Sequence, residues 1–191
     1  MMNILLFGVP VQICNLNIDN ESLTSYCYKI KESTQSRIMS NEGGWQSDEL
    51  NLQDLELLPL IESLKNVIKP YINQCGFKTN LEYKLDNMWI NINGFKDFNK
   101  PHTHPKCLFS GVYYVKTPKN CGDIVLNNPA NNLTYDWSHN YKNELTTINS
   151  SSWTLPSEKG KMFIFPSWVY HYVMPNLNEK EDRISIAFNI A

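Results

Sequence analysis

With 191 residues, 42% of them apolar and 12% aromatic, the chain is long enough for one globular domain with a sizeable core. A net charge of −2 offers no basic field for nucleic acid, and no apolar run is long enough to span a membrane, so a soluble protein is expected. Five cysteines, an odd number with no CxxC pair, argue against a disulfide framework and a cysteine-rich zinc site. They read as small core residues of a cytoplasmic protein in a reducing compartment; Cys107, three residues past His104, has a metal role to weigh against the preferred packing role.

In chain order, Ile4 to Val11 reads as a first strand and not a signal peptide, since it is short, lacks a basic flank and contains Gly8 and Pro10. Asp19 or Asn20 caps a helix that places Leu23, Tyr26, Cys27 and Ile30 on one face. Ser40 to Trp45, with Gly43 and Gly44, breaks regular structure. Pro59 opens a second helix striped by Leu60, Leu64, Val67, Ile68, Tyr71 and Ile72; Pro70 is expected to kink it and Gly76 to end it. From Leu81 the pattern turns to strands: Met88–Asn93, Leu108–Thr117, Asp123–Asn127, Trp153–Leu155, Met162–Phe165, Tyr172–Met174 and Arg183–Ile190. Ala130 to Ser152 is a long polar stretch, a lid or an irregular loop, and Asn178 to Arg183 reads as a solvated turn. The expectation is a single domain, 1–80 a helical support and 81–191 a β core, forming a sandwich or jelly roll with helices on one sheet.

Three of the four histidines stand where chemistry can gather. His102 and His104 are two residues apart, so in an extended segment both rings point one way. His171 is distant in sequence, but a closed β fold brings such strands together, and neutral imidazole is a good ligand for iron, zinc or copper. The alternative is a surface pair beside a proline turn and a third histidine packed on Trp168. In Arg183–Ile190 one face is Arg, Ser, Ala and Asn and the other is Ile, Ile, Phe and Ile. Arg183 offers a planar fork suited to a carboxylate with the Ser185 hydroxyl beside it; an edge-strand arginine reaching solvent is the competing reading.

The run Gly160-Lys161-Met162-Phe163-Ile164-Phe165-Pro166-Ser167-Trp168-Val169-Tyr170-His171, followed by Arg183-Ile184-Ser185, resembles the C-terminal half of 2-oxoglutarate/Fe(II) oxygenases. In that superfamily the distal histidine binds iron and an arginine about this far downstream binds the far carboxylate of 2-oxoglutarate, which implies these roles for His171 and Arg183. His102-Thr103-His104 stands at the family's HxD/E pair. Ser110-Gly111-Val112-Tyr113-Tyr114-Val115 is similar to a strand of prolyl hydroxylases and implicates Tyr114 in cosubstrate binding; Asn91 and Asn93 resemble further cosubstrate contacts. The segment Ser40 to Ser47 and the HxHP…SGVYY run are similar to those of small oxygenases from marine bacteria and their phages.

The resemblance implies a mainly β fold with N-terminal helices, a double-stranded β-helix (jelly roll). It further implies Fe(II) as cofactor and 2-oxoglutarate and O2 as cosubstrates. The implied reaction is hydroxylation of a C–H bond with release of succinate and CO2, and family analogy favours a protein or peptide side chain as substrate. The sequence departs from the superfamily in one place, where His104 replaces the triad carboxylate. His104 is the preferred third ligand; Asp97 or Asp123 could substitute, or water or an anion could fill the position. Two other functions compete: a non-catalytic jelly-roll binding module, and a cosubstrate-independent three-histidine dioxygenase, against which Arg183 weighs.

Overall fold

Alternating side chains build two facing antiparallel sheets in a computed structural model that describes residues 7–78, 80–131 and 142–191. From edge to edge the six-stranded sheet runs β1 (Gln12–Asn15), β9 (Lys161–Pro166), β6 (Phe109–Lys116), β11 (Arg183–Ile190), β4 (Leu85–Asn93) and β3 (Trp45–Gln46). The five-stranded sheet runs β2 (Asn41–Glu42), β5 (Phe98–His102), β10 (His171–Val173), β7 (Ile124–Asn127) and β8 (Ser152–Leu155). The architecture is the expected jelly roll, mainly β with two helices.

The helices follow from local signals. Asp19 caps α1 (Asn20–Ser33) by accepting the N–H groups of Glu21 and Ser22, each at 3.1 Å. Pro59 lies in the first turn of α2 (Leu58–Gln74), where its missing N–H has no intrahelical partner to lose. At the other end Gly76, at φ +78°, and Phe77 donate to the carbonyls of Asn73 and Ile72, closing the helix in a left-handed cap. Both helices bury their apolar faces on one side of the six-stranded sheet: Leu23, Cys27, Leu60, Leu64 and Ile68 share a core with Ile90, Tyr113, Ile164, Ile186 and Phe188. Each of the larger of these side chains contributes on the order of 1.5–3 kcal/mol by leaving water.

The opposite face of that sheet looks into the sandwich. Val112, Tyr114, Phe163 and Phe165 meet Ile124, Leu126 and Leu155 of the five-stranded sheet in a second, smaller core. Gly43 and Gly44, at φ +63° and +62°, let the chain pass from β2 in one sheet to β3 in the other within two residues.

Several boundaries differ from expectation. The first strand lies at Gln12–Asn15 and not at Ile4–Val11: residues 4–6 fall outside the described ones, and Pro10, which has no N–H for a ladder, precedes the pairing with β9. Of the stretch Ala130–Ser152, residues 132–141 lie outside the described ones; 142–151 form turns and bends, and Ser152 starts β8. Arg183 is not part of a solvated turn, nor is it on an edge strand. It begins β11, between β6 and β4, and is 1% exposed. Among the described residues no helix is long and apolar enough to cross a membrane.

Candidate metal centre

The register of the five-stranded sheet brings two histidines together. His171, first residue of β10, pairs directly with His102, last residue of β5, and on its other side with Leu126. Directly paired residues share a face, and Leu126 marks that face as the sandwich interior. His104 lies two residues beyond the end of β5, where its N–H donates to the Ser167 carbonyl at 2.9 Å. The three rings converge: centroids are 4.9 Å apart for His102–His104, 4.4 Å for His102–His171 and 5.1 Å for His104–His171.

Hydrogen bonds orient the rings. His171 Nδ1 donates to the Val169 carbonyl at 2.8 Å, and His102 Nδ1 to the Lys100 carbonyl at 2.6 Å. Each bond assigns the proton to Nδ1 and leaves Nε2 a lone pair. Burial holds the rings neutral. It lowers His102, though the Lys100 carbonyl opposes it; it lowers His104 to about 4, helped by His102; and it lowers His171 to about 3, helped by His102 and His104 against the Val169 carbonyl. Phe165 stands edge-on to the buried His171 at 4.7 Å, and Trp89 lies 5.6 Å from the half-buried His104.

The donor set fits a metal ion. One nitrogen from each histidine lies within 4.8 Å of the others. Two imidazole nitrogens, each about 2.1 Å from one ion, are about 3.0–3.4 Å apart at tetrahedral to octahedral angles; His104 Nε2 and His171 Nε2 are 3.3 Å apart. Among the described residues no carboxylate joins the group. Asp97 accepts the Gly94 N–H at 2.8 Å and Asp123 the Ser157 N–H at 2.8 Å. Cys107 is likewise outside the cluster, its thiol turned to the Pro105 carbonyl.

The remaining predicted residues line the inner face of the six-stranded sheet in ordered rows. Nearest the histidines come Asn87, Asn189, Ser110 and Phe165, then Trp89, Ala187, Val112 and Phe163. Deeper lie Gln46, Asn91, Ser185 and Tyr114, and deepest Asn93 beside Arg183. Asn91 accepts from Asn99 across the sandwich at 3.4 Å.

Arg183 is held by one arm of its guanidinium. Nη1 donates to the carbonyls of Cys121, Gly122 and Met174, the latter two at 3.3 and 2.8 Å. Nη2 is buried without a partner, as are Tyr114 Oη and both amide atoms of Asn93. Burial pulls Arg183 below its ordinary range, with Tyr114, Cys121, Asp123 and Asp97 acting against it, yet an arginine stays charged at neutral pH. No carboxylate among the described residues is within ion-pair distance. Burial also pushes the Tyr114 phenol up to about 12, with Arg183 and the Ser157 hydroxyl opposing; Ser157 is close enough to polarise Tyr114 but makes no well-formed hydrogen bond to it. A buried cation arm, a neutral phenol and an unpaired amide are the complement of a bound carboxylate. The carbonyls engage Nη1 alone, which leaves Nη2 as the unpaired end of the fork.

A cavity of about 800 Å³ opens on His102 and His104, walled by Trp89, Gln46, Met39 and Asn189. A second, of about 520 Å³ between α2 and residues 81–85, contains none of the predicted site residues. Sequence reading missed Gln46, Ser157 and the two packing rings. Of these, Trp89 was within reach, since it alternates on one face with Asn91 and Asn93.

Residues 87–189, from β4 through β11, match the model of the family described as "Putative 2OG-Fe(II) oxygenase". Comparison with curated proteins finds no match. Similar solved structures include a Pseudomonas putida prolyl-4-hydroxylase, 13% identical over 94% of this chain and 91% of that one, TM-score 0.64. The viral collagen prolyl hydroxylase of Paramecium Bursaria Chlorella virus-1, in complex with 2-oxoglutarate, is 11% identical over 94% of each chain, TM-score 0.59. HygX from Streptomyces hygroscopicus, with nickel and 2-oxoglutarate bound, is 9% identical over 96% of this chain and 83% of that one, TM-score 0.63. At such identities the likeness establishes the fold. The family match takes in more than half the chain, including the three histidines and Arg183, and it makes this protein a member of the 2-oxoglutarate- and Fe(II)-dependent oxygenases, with iron and 2-oxoglutarate as its cofactors.

Proposed function

We propose that the protein is a hydroxylase in which His102, His104 and His171 hold Fe(II), and Arg183, Tyr114 and Ser185 hold the far carboxylate of 2-oxoglutarate. One observation carries this reading: three neutral imidazoles converge in the same sandwich interior that presents, deeper in and from the facing sheet, an unpaired guanidinium nitrogen and an unpaired phenol. When bound, the iron and cosubstrate supply the oxidising chemistry, in which 2-oxoglutarate leaves as succinate and CO2 and one oxygen atom of O2 enters a substrate C–H bond.

The chain's own residues bind, orient and exclude water. Lys100 and Val169 carbonyls fix two imidazoles with lone pairs toward the metal. Three neutral ligands leave the ion its full +2 charge, which the dianionic cosubstrate matches. Nη2 of Arg183 and Oη of Tyr114 donate to the far carboxylate, Ser185 lies between Tyr114 and Asn91 in the same row, and Asn93 offers an amide beside Arg183. Phe165 covers the buried His171 and Trp89 covers one side of His104. The cavity along His102 and His104 receives the substrate. A protein or peptide side chain is the favoured class, two of the structural neighbours being prolyl hydroxylases.

The test is an anaerobic titration of 2-oxoglutarate into the Fe(II) protein. Chelation is expected to produce a visible charge-transfer absorption, and admission of O2 is expected to yield succinate. No absorption and no succinate would leave a binding module; substrate oxidation without 2-oxoglutarate would leave a cosubstrate-independent dioxygenase.

A further inference from the structure

His104 stands past the last ladder residue of β5, so sheet pairing does not hold it. Its backbone anchor is the Ser167 carbonyl, in the turn between β9 and β10. That turn is closed by the Val169 N–H on the Pro166 carbonyl at 2.9 Å, and its Val169 carbonyl orients His171. One short turn therefore sets two of the three imidazoles.

Turns are ordinarily the mobile parts of a fold, but this one is tied to the opposite sheet. The Ser167 N–H donates to the Leu108 carbonyl at 3.1 Å. Ser110 Oγ donates to Asn189 Oδ1 at 2.7 Å, so the 2.9 Å contact between the two serines has Ser167 Oγ donating to Ser110 Oγ. Asn189 Nδ2 in turn donates to Asn87 Oδ1 at 2.9 Å. Ser110, Ser167 and Asn189 are all buried. Unlike Arg183 and Tyr114, they keep no unpaired atom for a ligand. Burying a polar group costs about 1–3 kcal/mol unless it is paired, and pairing returns little beyond that cost. The relay thus adds little net stability. What it sets is a distance, that between the six-stranded sheet and the turn carrying the histidine anchors.

We propose that Ser110 and Asn189 are positioning residues of the metal centre, acting through Ser167 to hold the backbone of His104 and the turn that orients His171. The proposal rests on the three-histidine reading above, and Co(II) binding tests it apart from activity. Ser110→Ala and Ser167→Ala are each expected to weaken Co(II) binding about 10- to 100-fold and to alter its visible d–d spectrum. The double variant should lose no more than the larger single loss, because both cut one relay. Tyr113→Phe is the control. It removes a hydrogen bond of 2.9 Å to Asn20 on the helix-covered face, and should lower the melting temperature while keeping wild-type Co(II) affinity and spectrum. Wild-type affinity and spectrum in both serine variants, whatever their melting temperatures, would overturn the proposal. Equal weakening in Tyr113→Phe would do the same, by showing general loosening. Failure of the wild-type protein to bind Co(II) would sink the three-histidine reading itself, and this proposal with it.

Discussion

Replacing Arg183 with lysine asks one nitrogen to do the work of two. In the native protein Nη1 serves the carbonyls of Cys121, Gly122 and Met174, while Nη2 is buried without a partner and is the arm proposed above to meet the cosubstrate. A lysine ammonium is a point donor on a shorter reach; it can satisfy the carbonyls or meet the carboxylate, but not both in the arginine's geometry. Loss of one hydrogen bond to a charged group costs about 1.5–3 kcal/mol, equivalent to roughly a 10- to 150-fold weaker 2-oxoglutarate affinity. Anaerobic titration of the Fe(II)-loaded variant, followed by the visible absorption, measures this directly. Iron affinity without cosubstrate is measured in parallel and should not change, since Arg183 lies in the row farthest from the histidines. An unchanged 2-oxoglutarate affinity would refute the carboxylate role. Equal losses of iron and cosubstrate affinity would mean that the substitution had loosened the sandwich instead.

His171→Ala should abolish metal binding by elemental analysis, whereas His104→Asp should retain iron and His104→Ala weaken it; Asp97→Ala or Asp123→Ala losing the metal would contradict the ligand set. Gly122→Ala should weaken 2-oxoglutarate binding more than metal binding, because its Cβ would lie 2.3 Å from the Met174 carbonyl oxygen at φ +81° and displace an acceptor of Arg183; isothermal titration of both ligands reads the difference. Stability of the metal-free protein should fall with pH below about 6.5. His171, lowered to about 3, and His104, lowered to about 4, stay neutral in the folded state while their unfolded counterparts take up protons. Above pH 7 both states are neutral and this dependence vanishes. Urea midpoints equal at pH 7 and pH 5 would contradict it.

Strand β11 was legible to the residue because its alternation is strict, with Ile184, Ile186, Phe188 and Ile190 on one side. The meaning of its other side was not. Polar residues on alternate positions usually face solvent, and only the second sheet turns Arg183, Ser185 and Asn189 into interior groups. Strand β5 escaped prediction because Lys100 and Pro101 interrupt any apolar pattern, and β2 and β3 are too short to leave one. The histidine cluster was foreseen from spacing, but for an incomplete reason. His104 leaves the strand, and the Ser167 carbonyl, not extended geometry alone, brings it round. Asn91 was expected at the cosubstrate, and its amide oxygen is taken up by Asn99, a pairing between sheets that sequence separation alone does not reveal.

The two ends of the inner face differ in how freely they can change. The proposed carboxylate anchors come from β4, β6 and β11, three consecutive strands inside the six-stranded sheet. An insertion there would shift a register and move every side chain beyond it to the opposite face. The cavity beside the histidines is instead walled largely by connecting segments, and those that carry no proposed ligand, residues 37–40 and 105–107, tolerate changes of length and composition. Under the proposed function, substrate preference is therefore open to change through these loops, whereas the proposed seat of 2-oxoglutarate is tied to the register of the sheet.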